Sequence, residues 1–371
     1  MVDLTVREET TSLLEVITRF GAEAIRPSAG EAEIQMQPQP GLAARLRQIG
    51  VVPGVSEEHG GQGELEPEDA LLVAEALAHA DAGVAYELLA ASHAALVLRR
   101  VGDHAQRVAY LPRLADGAAA SVLYYEGFGR GPSELEATAT ADGDDYILSG
   151  RKIAVVRPQD SDVAVVVARA AGGTAAFVLE RHEVERLTVW RDDQATGKLG
   201  IKAARTGVVE LGGVRVPGDR RLTGNPLDLA RAIAHMRAQH AALALGAARA
   251  SQEYARAYAA ERVAFGKHII EYQGVAFPLA DVATGLEANR LNLLALVLDV
   301  ETLEDPALIE RRTTLAVNRT FKHCLDATRV GINSLGGHGY LMDHPVERWY
   351  RAVATLAAID FDPLASDLDA I

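Results

Sequence analysis

The sequence predicts an α+β chain in which a helical N-terminal third, a central β domain and a helical C-terminal part follow one another. Three observations predict it. Up to about residue 116, apolar residues recur at spacings of three and four, as at Leu13, Leu14, Ile17 and Phe20 and at Leu71, Leu72, Ala76 and Leu77. Between about residues 118 and 217 that spacing gives way to short β-branched runs at 146–150, 163–167, 175–179 and 207–211, parted by Gly and Asp turns. From about residue 228 the helical spacing returns, with an Ala-rich run to Glu261 and further helices at 273–301, 309–335 and near 346–358. Strands segregated between two helical blocks place one sheet domain between two helical ones. The expected division is 1–117, 118–222 and 223–371.

Within this frame, the glycines of residues 52–63 mark a loop that interrupts the first helical block. Gly172, Gly173 and Thr174 read as a hairpin turn in the β domain. The most apolar helical stretch, Ala241 to Ala250, is too short to span a bilayer and is bounded by Arg237, His240 and Arg249, so it is expected to be a buried helix. No repeat of 20 to 50 residues and no low-complexity tract interrupts the chain.

Composition narrows the function. Apolar residues make up 49% and charged residues 24% of the chain, as in an ordinary globular protein. A formal charge of -14 gives no general attraction for nucleic acid or anionic lipid, so any phosphorylated ligand needs local basic groups. The first residues lack the pattern of a signal peptide. The single cysteine, Cys324, allows no internal disulfide and reads as a core residue, and a cytoplasmic location with no membrane insertion is expected.

No glycine group has the G-x-G-x-x-G or G-x-x-x-x-G-K-[ST] pattern, and no histidine or cysteine spacing suits a metal, so none is expected. Two other segments are more informative. The first runs from Glu261 to Gln273 (ERVAFGKHIIEYQ) and the second is Gly336-Gly-His-Gly-Tyr340 followed by His344-Pro-Val-Glu-Arg348 and Arg351. Either alone is an ordinary helix connection. Together, about 70 residues apart in one helical block, they resemble the acyl-CoA dehydrogenase family, whose pattern is R-x-x-F-G…Q, then G-G-x-G-Y, P-x-x-R and a second arginine. The glycine loop at 56–63, Leu199-Gly-Ile and Val214-Arg-Val-Pro217 match as well.

The resemblance implies an N-terminal helical domain, a barrel-like or sandwich β domain and a C-terminal four-helix bundle. It also implies a tetramer with FAD at subunit interfaces, a place in fatty acid metabolism and α,β-dehydrogenation of an acyl-CoA or acyl-carrier-protein thioester, with electrons passing to an electron-transfer flavoprotein. Carried onto this chain, Arg262 serves the FAD pyrophosphate, Phe265 and Gln273 the adenosine side, and Gly336 and Gly337 allow close backbone approach. Asn333 joins the cofactor side and Arg237 the substrate side.

The chain departs from the family where the chemistry lies. The family's glutamate base follows the second arginine, and counting from Arg351 puts Asp360 there. An aspartate is one methylene shorter, a retreat of roughly 1 to 1.5 Å that can cost about a hundredfold in rate. Another family position for the base falls on Met236. The alternative reading of Asp360 is an acidic residue near a solvated C-terminus. Where the family has T-E-P-x-A-G-S-D and K-x-W-I-T, this chain has Tyr125-Glu-Gly-Phe-Gly-Arg-Gly-Pro-Ser133 and Lys152-Ile-Ala-Val-Val156, so Tyr125 and Ala154 take the flavin-ring positions. Three roles follow as expectations: a dehydrogenase, a partner subunit supplying half of an FAD site to a paralogue in a heterotetramer, or a flavin monooxygenase on the same fold.

Overall fold

The computed structural model describes residues 7–127, 129–191 and 197–363. The N-terminal helices are α1 (Glu8–Phe20), α2 (Ala29–Gln35), α3 (Leu42–Ile49), α4 (Pro67–Ala80), α5 (Ala82–Leu88), α6 (Ala90–Val101) and α7 (His104–Ala115). Their ends follow from local side chains. Asp81 caps α5 by accepting from Val84 N at 2.9 Å, and Asp103 and Gln106 form a reciprocal cap on α7. A single π-helical turn, Gly21–Ile25, continues α1, and Gly21 lets it lie against Ala80, where an added Cβ would sit 3.1 Å from that methyl.

The β domain holds β1 (Ala120–Leu123), β2 (Thr138–Asp142), β3 (Asp145–Val156), β4 (Val163–Ala170) and β5 (Gly173–Glu180), then the short α8 (Arg181–Val184), β6 (Thr188–Arg191) and β7 (Thr206–Val216). They form one seven-stranded curled sheet in the order β1-β4-β2-β3-β7-β6, with β5 beside β4. The β4–β5 hairpin turns at Gly172 and Gly173, both at positive φ. Alternation along β4 sends Val163, Val165 and Val167 into the large core shared with the helices, and Ala164, Val166 and Ala168 into a second core within the β domain. Burial on both faces is why these strands read as unbroken apolar runs.

The C-terminal block contains α9 (Pro226–Glu261), a small hairpin of β8 (Val263–Ala264) and β9 (Lys267–His268), α10 (Gln273–Thr302), α11 (Pro306–Leu335) and α12 (Val346–Asp360). Asn225 caps α9 with Pro226 at its first position, and Asp305 with Pro306 does the same for α11. At 36 residues α9 is about 54 Å long and forms the central pillar, with Ala241 to Ala248 buried among α4, α11 and α12. Gly246 lets it approach α4 closely, since a Cβ there would lie 2.2 Å from the Glu75 carbonyl oxygen. Cys324 is buried in the core. Among the described residues, no helix is long and apolar enough to cross a membrane and no histidine, cysteine and carboxylate group is arranged to hold a metal ion.

A closed pocket and an exposed arm

Asp360 ends α12 and is fully buried, which corrects the reading of it as an acidic residue near a solvated C-terminus. Its carboxylate accepts from Arg237 Nε at 3.0 and 3.2 Å, and Arg237, 1% exposed, also donates to Thr314 Oγ1 at 3.0 Å and to the Gly129 carbonyl oxygen at 3.4 Å. Burial pushes the Asp360 carboxyl up to about 6, and the charge and hydrogen bond of Arg237 hold it from going higher. The guanidinium stays charged. Both Asp360, the candidate base, and Arg237, expected on the substrate side, are therefore spent on each other in the interior.

The segment expected from the sequence in place of the family's flavin loop is fastened down by its own contacts. Glu126 accepts from the backbone N–H of Glu136 and Ala137 and from Lys152 Nζ at 2.6, 3.0 and 2.7 Å. Lys152 also donates to the Tyr124 carbonyl oxygen at 3.2 Å, and the Tyr124 hydroxyl donates to the Arg130 carbonyl oxygen at 3.1 Å. Desolvation lowers the Lys152 ammonium to about 8 despite this carboxylate partner. Gly129, at φ +63, lies against the end of α12; a Cβ there would come within 2.6 Å of Asp362 N.

Behind this loop the Tyr125 ring packs 5.1 Å from His240 and 5.0 Å from Tyr124, and His240 packs in turn on Tyr86 at 5.5 Å and Phe321 at 5.6 Å. His240 donates through Nε2 to the Leu356 carbonyl oxygen, which requires the Nε2–H tautomer, and burial lowers it to about 3, so it is neutral. His93 is neutral for the same reason, lowered to about 4. The Ala154 carbonyl oxygen accepts from the Tyr86 hydroxyl at 3.0 Å. Among Tyr86, His93, Tyr125, Ala154, Met236 and His240 the remaining void is only ≈ 20 Å³, room for about one water. The ring system of the flavin implied by the sequence resemblance does not fit there, and Asp360 does not line the void.

The second half of the expected site is the reverse. Arg262 follows α9 and opens the β8–β9 hairpin, whose turn residues Phe265 and Gly266 are at φ +52 and +88. A phenylalanine at positive φ and 97% exposed is strained and buries nothing in this chain. Gln273 starts α10 and is exposed, as is Asn333 in the last turn of α11. Gly336, at φ +59, and Gly337 face open space, since an added Cβ would meet nothing within 4 Å. The Tyr258 hydroxyl pairs with His338 Nδ1 at 2.7 Å, and Tyr254 with His344 Nδ1 at 2.8 Å, which fastens the second segment to the last turns of α9, the helix that leads into the first; these two segments are the arm.

The arginines downstream have internal duties. Arg351 pairs with Glu347 at 2.6 Å and with Glu33 and donates to the Leu199 carbonyl oxygen at 2.8 Å, while Arg348 stands 3.6 Å from Asp81. Sequence reasoning missed Tyr86, His93 and His240 as pocket fillers; a tyrosine and two histidines on helical faces carry no signal that they converge.

Comparison with known proteins gives a consistent result. Residues 7–118 match the model of the acyl-CoA dehydrogenase N-terminal domain and residues 227–360 that of the C-terminal domain. The chain is 31% identical over 363 residues to a probable acyl-CoA dehydrogenase of Mycobacterium leprae, covering 93% of this chain and 90% of that protein. It is 30% identical to a mitochondrial isobutyryl-CoA dehydrogenase of Dictyostelium discoideum, covering 80% and 72%. Butyryl-CoA dehydrogenase from Megasphaera elsdenii superposes with a TM-score of 0.82 at 25% identity, covering 98% and 97%.

Proposed function

We propose that this chain, which belongs to the acyl-CoA dehydrogenase family, is a partner subunit that completes the FAD site of a paralogous chain instead of holding a flavin ring of its own. FAD-dependent dehydrogenation is general to the family. The observation that carries the reading is the contrast between a ≈ 20 Å³ void where the ring would lie and an arm whose cofactor-side residues are all exposed. In this role Arg262 offers its planar fork to the pyrophosphate. Gly336 and Gly337 let the backbone approach the cofactor, and Phe265, Gln273 and Asn333 face its adenosine side. Dehydrogenation of the acyl thioester, on CoA or a carrier protein, belongs to the paralogue's pocket, from which an electron-transfer flavoprotein takes the electrons. Tyr125, Ala154 and Asp360 then have structural work in this subunit.

The visible spectrum of the purified chain tests this. Alone it is expected to be colourless; co-expressed with a paralogue it is expected to yield a yellow complex. Arg262→Ala should weaken FAD retention in that complex by about 1.5 to 3 kcal/mol, the range for a hydrogen bond to a charged group. A chain that is yellow by itself, is bleached by an acyl-CoA and loses bleaching but not flavin in Asp360→Ala would overturn the proposal in favour of a self-sufficient dehydrogenase.

A further inference from the structure

A second cavity, of ≈ 280 Å³, shares no lining residue with the closed pocket or the arm. It lies where β3 ends and β7 begins, walled by the segment 197–206 and by Met36 at the end of α2. Among the described residues, four cationic side chains line it, Arg157, Lys198, Lys202 and Arg205, with the carboxylate of Asp160. Two of the four are pinned. Lys198 Nζ donates to the Ala204 carbonyl oxygen and to Thr206 Oγ1, both at 2.7 Å, and Arg205 pairs with Glu87 through Nε at 2.9 Å. The other two are not. Lys202 has no hydrogen-bond or ion-pair partner among the described residues, and Arg157 Nε is buried without one.

Arg157 is also held in an unusual conformation. Its φ is +49, fixed by donation of its N–H to the Arg205 carbonyl oxygen at 2.7 Å and by acceptance at its carbonyl from Asp160 N at 3.0 Å and Ser161 Oγ at 3.1 Å. Left-handed backbone at a long side chain costs on the order of 1 to 3 kcal/mol and persists only where the surroundings impose it. Like charges gathered around a cavity repel one another, and a buried N–H without an acceptor adds a further cost. An anion in the cavity relieves that repulsion.

We infer that this cavity binds a small molecule through a phosphate or pyrophosphate group, with Lys202 and Arg157 as its principal ligands and Lys198 and Arg205 supplying the surrounding field. Arginine and lysine are the side chains suited to phosphate oxygens. The volume is near the lower end for small-ligand clefts, about 300 to 1,000 Å³. Met36, Pro158 and Ala204 provide an apolar wall for an organic portion. The assignment is independent of whether the arm serves a partner.

Calorimetric titration of the intact chain with inorganic pyrophosphate, AMP and free CoA at physiological ionic strength tests it. Saturable binding of one ligand per chain is expected, weakened about tenfold or more in Lys202→Met and in Arg157→Met. Lys202 is partly exposed and has no partner among the described residues, so Lys202→Met and the charge reversal Lys202→Glu should leave the melting temperature unchanged while weakening binding. Pyrophosphate binding as tightly as AMP or CoA assigns recognition to the phosphate group alone, and tighter organic probes add the apolar wall. Absence of saturable binding for all three probes overturns the inference. So does binding that is undiminished in both Lys202 variants, or that disappears in Arg262→Ala, which would place the anion on the arm.

Discussion

Asp360 and Arg237 show how far a single position can be read from sequence. Counting from Arg351 names Asp360 as the residue in the base position, but its partner lies 123 residues away on another helix, and no spacing rule brings the two together. Because the pair is wholly buried, removing one member leaves an uncompensated charge. Asp360→Ala is expected to destabilise the fold by about 3 to 5 kcal/mol, measured by chemical denaturation, and Asp360→Asn by less because it keeps the shape and an acceptor. The pH dependence follows from the upward shift to about 6. A carboxyl whose folded value exceeds its unfolded value of 3.8 favours the folded state below that unfolded value and loses this contribution as pH rises through the folded one. Wild-type stability relative to Asp360→Asn should therefore grow as pH falls from about 7 towards 4, by at most about 1.4 kcal/mol per pH unit. A difference that shrinks over that window would mean that the carboxyl is held low by Arg237 and that the ion pair outweighs its burial.

Whole elements were more legible than their contacts. Periodicity located the four long helices of the C-terminal block because a 30-residue amphipathic pattern survives local exceptions. The short α2 and α3 and the π-helical turn at Gly21–Ile25 leave too few turns for such a signal. The glycines of the C-terminal block were legible only as flexible positions, yet they differ. Gly246 is a packing glycine: the Cβ in Gly246→Ala would press on the Glu75 carbonyl and on His79 N at 2.8 Å, forcing α9 away from α4 at a cost of about 1 to 3 kcal/mol, readable as a lower denaturation midpoint. Gly336 and Gly337 face open space and owe the protein no such contact. The β8–β9 hairpin tests the same distinction from the other side. Phe265 sits in a left-handed turn position that favours glycine and is 97% exposed, so Phe265→Gly should leave the stability of the chain equal or slightly higher by up to about 1 kcal/mol while weakening its association with a partner, seen in analytical ultracentrifugation. A loss of chain stability instead would show that the ring has a partner within its own subunit.

At the scale of the molecule, the fold was legible because helices, strands and helices come in separate blocks, whereas the contrast between a filled pocket and an exposed arm becomes visible only when side chains are placed. Phe265, Tyr340 and Met342 are 97%, 76% and 81% exposed beside Arg262 and the glycine turn. Large exposed apolar groups near one another mark an interaction surface. If the arm of this chain completes a flavin site on a paralogue, the paralogue's own arm, in a two-fold arrangement, faces the filled pocket among Tyr125, His240 and Tyr86 and finds no flavin to hold. An assembly of two copies of each chain would then carry one FAD for every two chains. A homotetramer of self-sufficient dehydrogenases would carry one per chain. Flavin absorbance set against protein concentration, with native mass spectrometry giving the subunit composition, separates these outcomes. A ratio near one half in a mixed tetramer is expected, and restoring space in this chain by Tyr125→Thr together with His240→Ala should not raise it, because Glu126 still ties the adjoining segment to Lys152 and to the backbone at Glu136 and Ala137. A ratio of one in the mixed complex would mean that the pocket opens on assembly, and the partner-subunit reading would give way to a chain that gains its own flavin only in company.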